Sequence, residues 1–123
     1  MTDSKRRERG ADMLSKVYGG DVETPPPGSD FVDIMLETLF AEVWTRDVLS
    51  MRDRRLLLLA SILTQGEPMT FGIQARAALK NGELTPDELR EVLVFLVHYV
   101  GYPRCASMTG IAEEMIADFE ANK

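Results

Sequence analysis

The chain has 123 residues, with 20 acidic side chains against 14 basic ones and a formal charge of -6. That length suits one domain with a real core, and the acidic balance argues against nucleic acid as a partner, despite the basic run Lys5, Arg6, Arg7 and Arg9. A single cysteine, Cys105, leaves no disulfide framework or internal redox pair. The longest apolar runs, LLLLASIL and VLVFLV, fall far short of a membrane span, and no apolar run follows the N-terminal basic residues, so the expectation is a cytoplasmic protein.

A first helix is predicted over residues 4 to 18, with Met13, Leu14 and Val17 on one side. GGDVETPPPGSD, residues 19 to 30, reads as a linker whose glycines permit turns and whose three prolines stiffen it, suited to wrapping across a surface. The second helix spans about 30 to 45, where Val32, Met35, Leu36, Leu39, Phe40 and Val43 recur at helical spacing. Ser50, with Asp53 three residues on, opens a third helix to about Thr64 with a capping-box pattern. Gly66 and Pro68 precede a fourth over roughly 69 to 81, which closes at Asn81-Gly82. Thr85, Pro86 and Glu88 supply cap, first-turn proline and capping glutamate for a fifth helix to about Val100. Gly101 interrupts it, and Pro103 opens a sixth, with Cys105, Met108, Ala112, Met115, Ile116 and Phe119 on one stripe.

The middles of helices three and five are apolar on more than one face, as in helices buried on several sides. A chain this short has few outer helices to cover two such inner ones, so the expectation is a homo-oligomer with helix packing across the interface. A compact monomeric bundle is the alternative.

Five groups of residues bear on chemistry. Gln74 is an amide among Phe71, Ala75, Ala78 and Leu79; it is either satisfied by protein groups or orients a ligand, and it cannot act as a general acid or base. His98, the only histidine, forms no zinc signature but is the one side chain whose ordinary pKa suits proton shuttling; the alternative is a packed helix-end histidine. Cys105 reads as a small buried hydrophobe, with a thiol activated by a helix start as the other possibility. In FAEVWTRDVLSMRDRR, Glu42 and Arg46 are spaced to pair, beside the only tryptophan, Trp44. Arg52, Arg54 and Arg55 crowd the start of helix three, where cations are unfavourable. Asp53, Glu42 or an anionic ligand would compensate them, as a surface ion network or as a carboxylate clamp with Glu42 as acid or base. VHYVGYPR sets Tyr99 and Tyr102 beside His98 at a helix junction, either to point a hydroxyl into a cavity or as a structural corner.

FAEVWTRDVLSMRDRRLLLLA, QARAALKNGELTPDELREVL and HYVGYPRCA together resemble the carboxymuconolactone decarboxylase family, as do Arg6, Gly10 and YGG at 18 to 20. The likeness covers nearly the whole chain, and the order Trp44, Arg46, Arg54, Asn81-Gly82, Glu88, Glu91, Tyr99, Gly101, Pro103 is specific in combination only. It implies an all-α fold of about six helices in a single domain, alkylhydroperoxidase D-like, assembling as a trimer or hexamer. It also implies a decarboxylase of small carboxylated lactones in aromatic catabolism, needing no metal or organic cofactor.

The decarboxylase pattern reads roughly His-x-x-x-Ala-x-x-Asn-Gly. This chain has Ala78, Asn81 and Gly82 but Gln74 in place of the histidine. The alkylhydroperoxidase D branch uses Cys-x-x-Cys followed by histidine, where this chain has Glu67, Thr70 and Gln74, so thiol peroxidase chemistry of that type is not expected. The resulting expectation is a cofactor-independent lyase with altered substrate, acting on a small carboxylated lactone or related anion. In it Arg46 or Arg54 binds carboxylate, Glu42 or His98 moves a proton, and Gln74, Trp44, Tyr99 and Tyr102 contact substrate. A non-catalytic oligomeric member that binds a ligand or partner is the alternative.

Overall fold

A computed structural model describes residues 4–20 and 22–123, and all regular structure among them is helical. The chain divides into two compact units, Met1–Ser50 and Met51–Lys123.

In the first unit, helix α1 (Ser4–Val17) buries Arg7, Gly10, Leu14 and Val17, which the helical repeat places on one face. That face packs on a second helix that starts as α2 (Asp30–Ile34), capped by Ser29, and runs on as a π-helical stretch, Met35–Val43. Contact is closest at Gly10, where an added Cβ would lie 1.8 Å from the Leu36 carbonyl oxygen. The proline-rich segment is tied down: Arg7 donates to Asp33 Oδ1 (2.9 Å) and to the Pro25 carbonyl (2.7 Å), and the Gly28 amide donates to Asp33 Oδ2 (3.2 Å).

The π-helical stretch departs from the predicted ordinary helix. Its bonds reach one residue further, as in Trp44 N–H to Leu39 O at 2.9 Å. The wider turn regroups the faces, so that Leu36, Glu37, Phe40 and Ala41 are buried while Leu39 and Val43 of the expected apolar stripe are exposed. Phe40 sits edge-on to Tyr18, with ring centroids 6.3 Å apart, and parallel to Trp44 at 6.4 Å.

The second unit comprises α3 (Met51–Gln65), α4 (Pro68–Lys80), α5 (Pro86–Val100) and α6 (Tyr102–Ala121). Leu59 and Leu63 of α3, Phe71, Ala75 and Leu79 of α4, Leu89 and Leu93 of α5, and Met108, Ala112 and Ile116 of α6 share one core. Small residues let α4 approach α6, where Gly72 faces Ile111 with room for little more than a hydrogen. The ends are set by local chemistry. The Glu67 carboxylate accepts from Thr70 N–H at 2.7 Å to start α4, and Gly82 takes φ +71° after it ends. Thr85 and Glu88 form the reciprocal capping box of α5. Gly101, at φ +107°, turns the chain from α5 into α6.

The expected burial of α3 and α5 on several sides does not occur within one chain. On α5 only Leu89 and Leu93 are fully buried, while Val94, Phe95 and Tyr99 face solvent, as does Leu57 on α3.

Candidate functional site

Gln74 lies on the inward face of α4 and is 3% exposed. Opposite it is Arg55, which shares the buried stripe of α3 with Leu59 and Ile62 and has no exposed surface. Arg55 Nη1 donates to Gln74 Oε1 in a short hydrogen bond. A guanidinium only donates, so the amide oxygen must face it and the NH2 group must point away. Glu83, just past the α4 turn, closes on the same guanidinium from the other side, with Nε to Oε1 at 2.6 Å and Nη2 to Oε2 at 3.2 Å. Asn81 Nδ2 adds a bond to Glu83 Oε2 at 3.1 Å. This is a fork-to-fork ion pair taken out of water, with an amide as third member.

Charge at the start of α3 is balanced in part by two acids that follow α4, Glu83 and Glu88, which the sequence did not point to. Besides the Arg55–Glu83 pair, Arg52 donates to the Glu83 carbonyl (3.1 Å) and to Glu88 Oε2 (2.8 Å). The Thr85 amide and then Arg52 hold the Glu88 carboxyl below the usual carboxylate range. Arg54 lies half-buried on the same helix. Sequence reasoning missed Glu83 altogether and grouped Arg55 with Arg52 and Arg54, as a surface ion network or a carboxylate clamp, though its spacing from Leu59 marked it as inward-facing.

A groove of about 370 Å³ lies between α5 and α6, walled by Leu93, Val97, Cys105 and Ala106. His98 and Tyr102 line it together, and Arg90 and Glu113 also take part. His98 Nδ1 lies 2.8 Å from the Val94 carbonyl oxygen. That oxygen only accepts, so Nδ1 carries the hydrogen and the neutral ring keeps its lone pair on Nε2. Burial pushes the Cys105 thiol up, against the activated thiol weighed from its place near a helix start. Arg90 holds Glu113 through two bonds, at 2.9 and 3.0 Å, and depresses its carboxyl pKa. Tyr99, 80% exposed, leans on Phe95 at 5.5 Å and is not among the side chains that line the groove.

In the first unit, Glu42 Oε1 lies 3.0 Å from Arg6 Nε and 3.4 Å from Arg9 Nη2. It pairs with α1, and the helix ends at Val43, before the chain reaches Arg46. Arg46 follows in the turn after that helix, its amide bonded to the Val43 carbonyl at 3.2 Å, and Trp44 is half-buried against Phe40. The predicted site residues are therefore scattered: Glu42, Trp44 and Arg46 in the first unit, Gln74 in the Arg55 cluster, Arg54 half-buried on α3, His98 with Tyr102 in the groove, and Tyr99 exposed on α5 outside it.

Among the described residues no three His, Cys, Asp or Glu side chains are grouped to hold a metal ion, and no helix is long and apolar enough to cross a membrane. The sequence profile of the carboxymuconolactone decarboxylase family matches residues 29–114. The chain is also 28% identical over 124 residues to a 4-carboxymuconolactone decarboxylase of Acinetobacter baylyi (strain ATCC 33305 / BD413 / ADP1), across 96% of this chain and 92% of that protein. The chain belongs to the carboxymuconolactone decarboxylase family and, with Cys105 as its one cysteine, lacks the Cys-x-x-Cys motif.

Proposed function

We propose that the protein is a lyase of the decarboxylase type, acting without metal or organic cofactor on a small carboxylated lactone or related anion, with proton transfer that does not run through position 74. One observation carries the second half of this reading: the Gln74 amide is sealed in the core and bonded to Arg55. Neither group can exchange a proton at neutral pH. The first half rests on family membership and on the similarity to a 4-carboxymuconolactone decarboxylase.

In this reading the carbon–carbon bond to the carboxylate breaks, carbon dioxide leaves, and its electron pair remains on the substrate as an enolate. Arg54 is the candidate for binding the carboxylate and stabilising the enolate charge. A proton then goes to carbon from His98, which must carry it on Nε2 for this step. Glu42, in the first unit, is held as the partner of Arg6 and Arg9. Tyr102, which lines the groove with His98, contacts the substrate. The working form is an oligomer, a trimer or hexamer as in the expectation from sequence, supported by the uncovered α5 face.

The test is turnover of 4-carboxymuconolactone and a panel of related carboxylated lactones, followed by carbon dioxide release. Saturable turnover that falls about 10²- to 10⁴-fold in His98→Gln is the expected result. Turnover unchanged in that variant sinks the assignment of His98. No turnover of any lactone favours a second reading, a non-catalytic oligomeric member that binds a ligand or partner, which the sealed Gln74 also supports.

A further inference from the structure

We propose that α4 and α6 form between them a docking furrow for an acidic amphipathic helix of another protein, held by apolar side chains at one end and by cations at the other. Two hollows of about 410 and 470 Å³ lie along these helices and share Arg76 and Met115, so they join end to end. Met69, Ile73, Arg76 and Lys80 recur on α4 at steps of four, three and four, which sets them in one row. Ile111, Met115, Asp118 and Asn122 repeat those steps along α6 and its C-cap. The first hollow takes the earlier members of both rows and the second takes the later ones. The rows therefore run in the same direction on either side of the furrow, and the row on α4 is about 16 Å long. Its apolar rim is exposed, Met69 by 74% and Ile73 by 44%, beside half-buried Ile111 and Met115.

A shallow trough of that length between two helices fits a third helix laid along it. Methionine suits its apolar end, because the flexible thioether adapts to whatever side chain enters. Charge selects the occupant. In the lining of the second hollow, Arg76 and Lys80 meet one acid, Asp118. Beside them Lys123 lies over the Phe119 ring, 5.8 Å from its centroid, and pairs with Glu120 at 3.1 Å, which adds no net charge. That end is thus locally positive on a chain whose formal charge is -6, and it attracts acids. The matching partner carries two large apolar side chains four residues apart, then acids three and seven residues further on. A second copy of this furrow is a poor match, since its own row continues from Met69 and Ile73 into Arg76 and Lys80. No side chain lines both the furrow and the α5–α6 groove, so the site is separate from the one assigned to the lyase.

The probe is a synthetic, end-capped, alanine-rich helical peptide of about four turns. It carries two leucines four residues apart, followed by glutamates three and seven residues on. Titrated with this peptide, the full chain is expected to show saturable methyl NMR shifts confined to Met69, Ile73, Ile111 and Met115. A peptide with lysines in place of the glutamates is expected to bind at least about tenfold more weakly. Ile73→Glu, at an exposed position, should weaken the glutamate peptide by a similar factor. The double variant Arg76→Glu with Lys80→Glu should invert the preference, binding the lysine peptide better than the glutamate one. A folding defect cannot produce that inversion, and circular dichroism checks both variants. Equal binding of the two peptides, no saturable binding, shifts centred on another face, or binding indifferent to Ile73→Glu each overturns the proposal. So does a mass by light scattering that falls in Ile73→Glu, which gives the furrow to a second copy. Lactone turnover enters none of these outcomes, so the lyase reading stands or falls separately.

Discussion

Arg55 is a cation with no exposed surface in a core of leucine, alanine and phenylalanine, and it is tolerable there only because Glu83 and Gln74 satisfy it. Breaking a buried pair from one side leaves the other charge uncompensated, so Arg55→Met is expected to cost about 3–5 kcal/mol. Gln74→Leu removes only an acceptor and is expected to cost about 1–3 kcal/mol. Urea unfolding monitored by helical circular dichroism checks both, and a smaller loss in Arg55→Met than in Gln74→Leu would contradict this account. The anomaly at Gln74 was legible in the sequence, because an amide in an apolar stripe demands a partner. Its partners were not legible, since Arg55 is 19 residues away and Glu83 bonds Arg55 across 28. Nothing local specifies pairings of that span.

Element boundaries were the most readable feature, because each is set by a few neighbouring residues. Thr85, Pro86 and Glu88 make the capping box they spell, and Asn81-Gly82 ends α4. Thr85→Ala is expected to lower stability by about 0.5–2 kcal/mol in thermal unfolding. Glu88 adds a pH dependence. Its folded pKa is depressed below the ordinary 4.5, so it contributes stability that is present above that value and lost as pH falls through the folded value. Glu88→Gln should therefore be less stable than the parent at neutral pH, with the gap closing in acid; a gap that persists in acid would point to packing instead. The π-helical stretch was not legible, since its residues carry ordinary helical spacing and only the contact with α1 reveals the wider turn. Gly10 sits at that contact. Gly10→Ala puts a methyl group against backbone that cannot swing aside, and a loss of about 1–3 kcal/mol or more is expected, with proteolytic sensitivity rising within the first 50 residues.

For the whole molecule, the pattern of uncovered side chains matters more than any single bond. Phe95 is 58% exposed and Tyr99 80%, adjacent on one face of α5. Light scattering on purified protein is expected to give a mass several times that of one chain, and Phe95→Glu is expected to lower it by placing charge in a dry contact. A monomer at micromolar concentration would overturn the proposed assembly. The all-helical class and the family were legible because they rest on a pattern spread over most of the chain. The candidate site was legible only in part: His98 and Tyr102 do share a groove, whereas Glu42 turns to Arg6 and Arg9 of α1 and the helix ends before Arg46.

The Arg55–Gln74–Glu83 cluster also constrains the routes by which this sequence can change. One base substitution turns a glutamine codon into a histidine codon, so the residue of the decarboxylase pattern is a single step away. That step would set an imidazole against a guanidinium, which disfavours the protonated ring and holds its pKa below the ordinary value near 6.5. The newcomer could accept a hydrogen bond from Arg55 but would be a poor acid. Removing Arg55 as well would free the imidazole and strand Glu83. A working histidine at position 74 therefore calls for changes at Arg55 and Glu83 as well, because the three side chains satisfy one another.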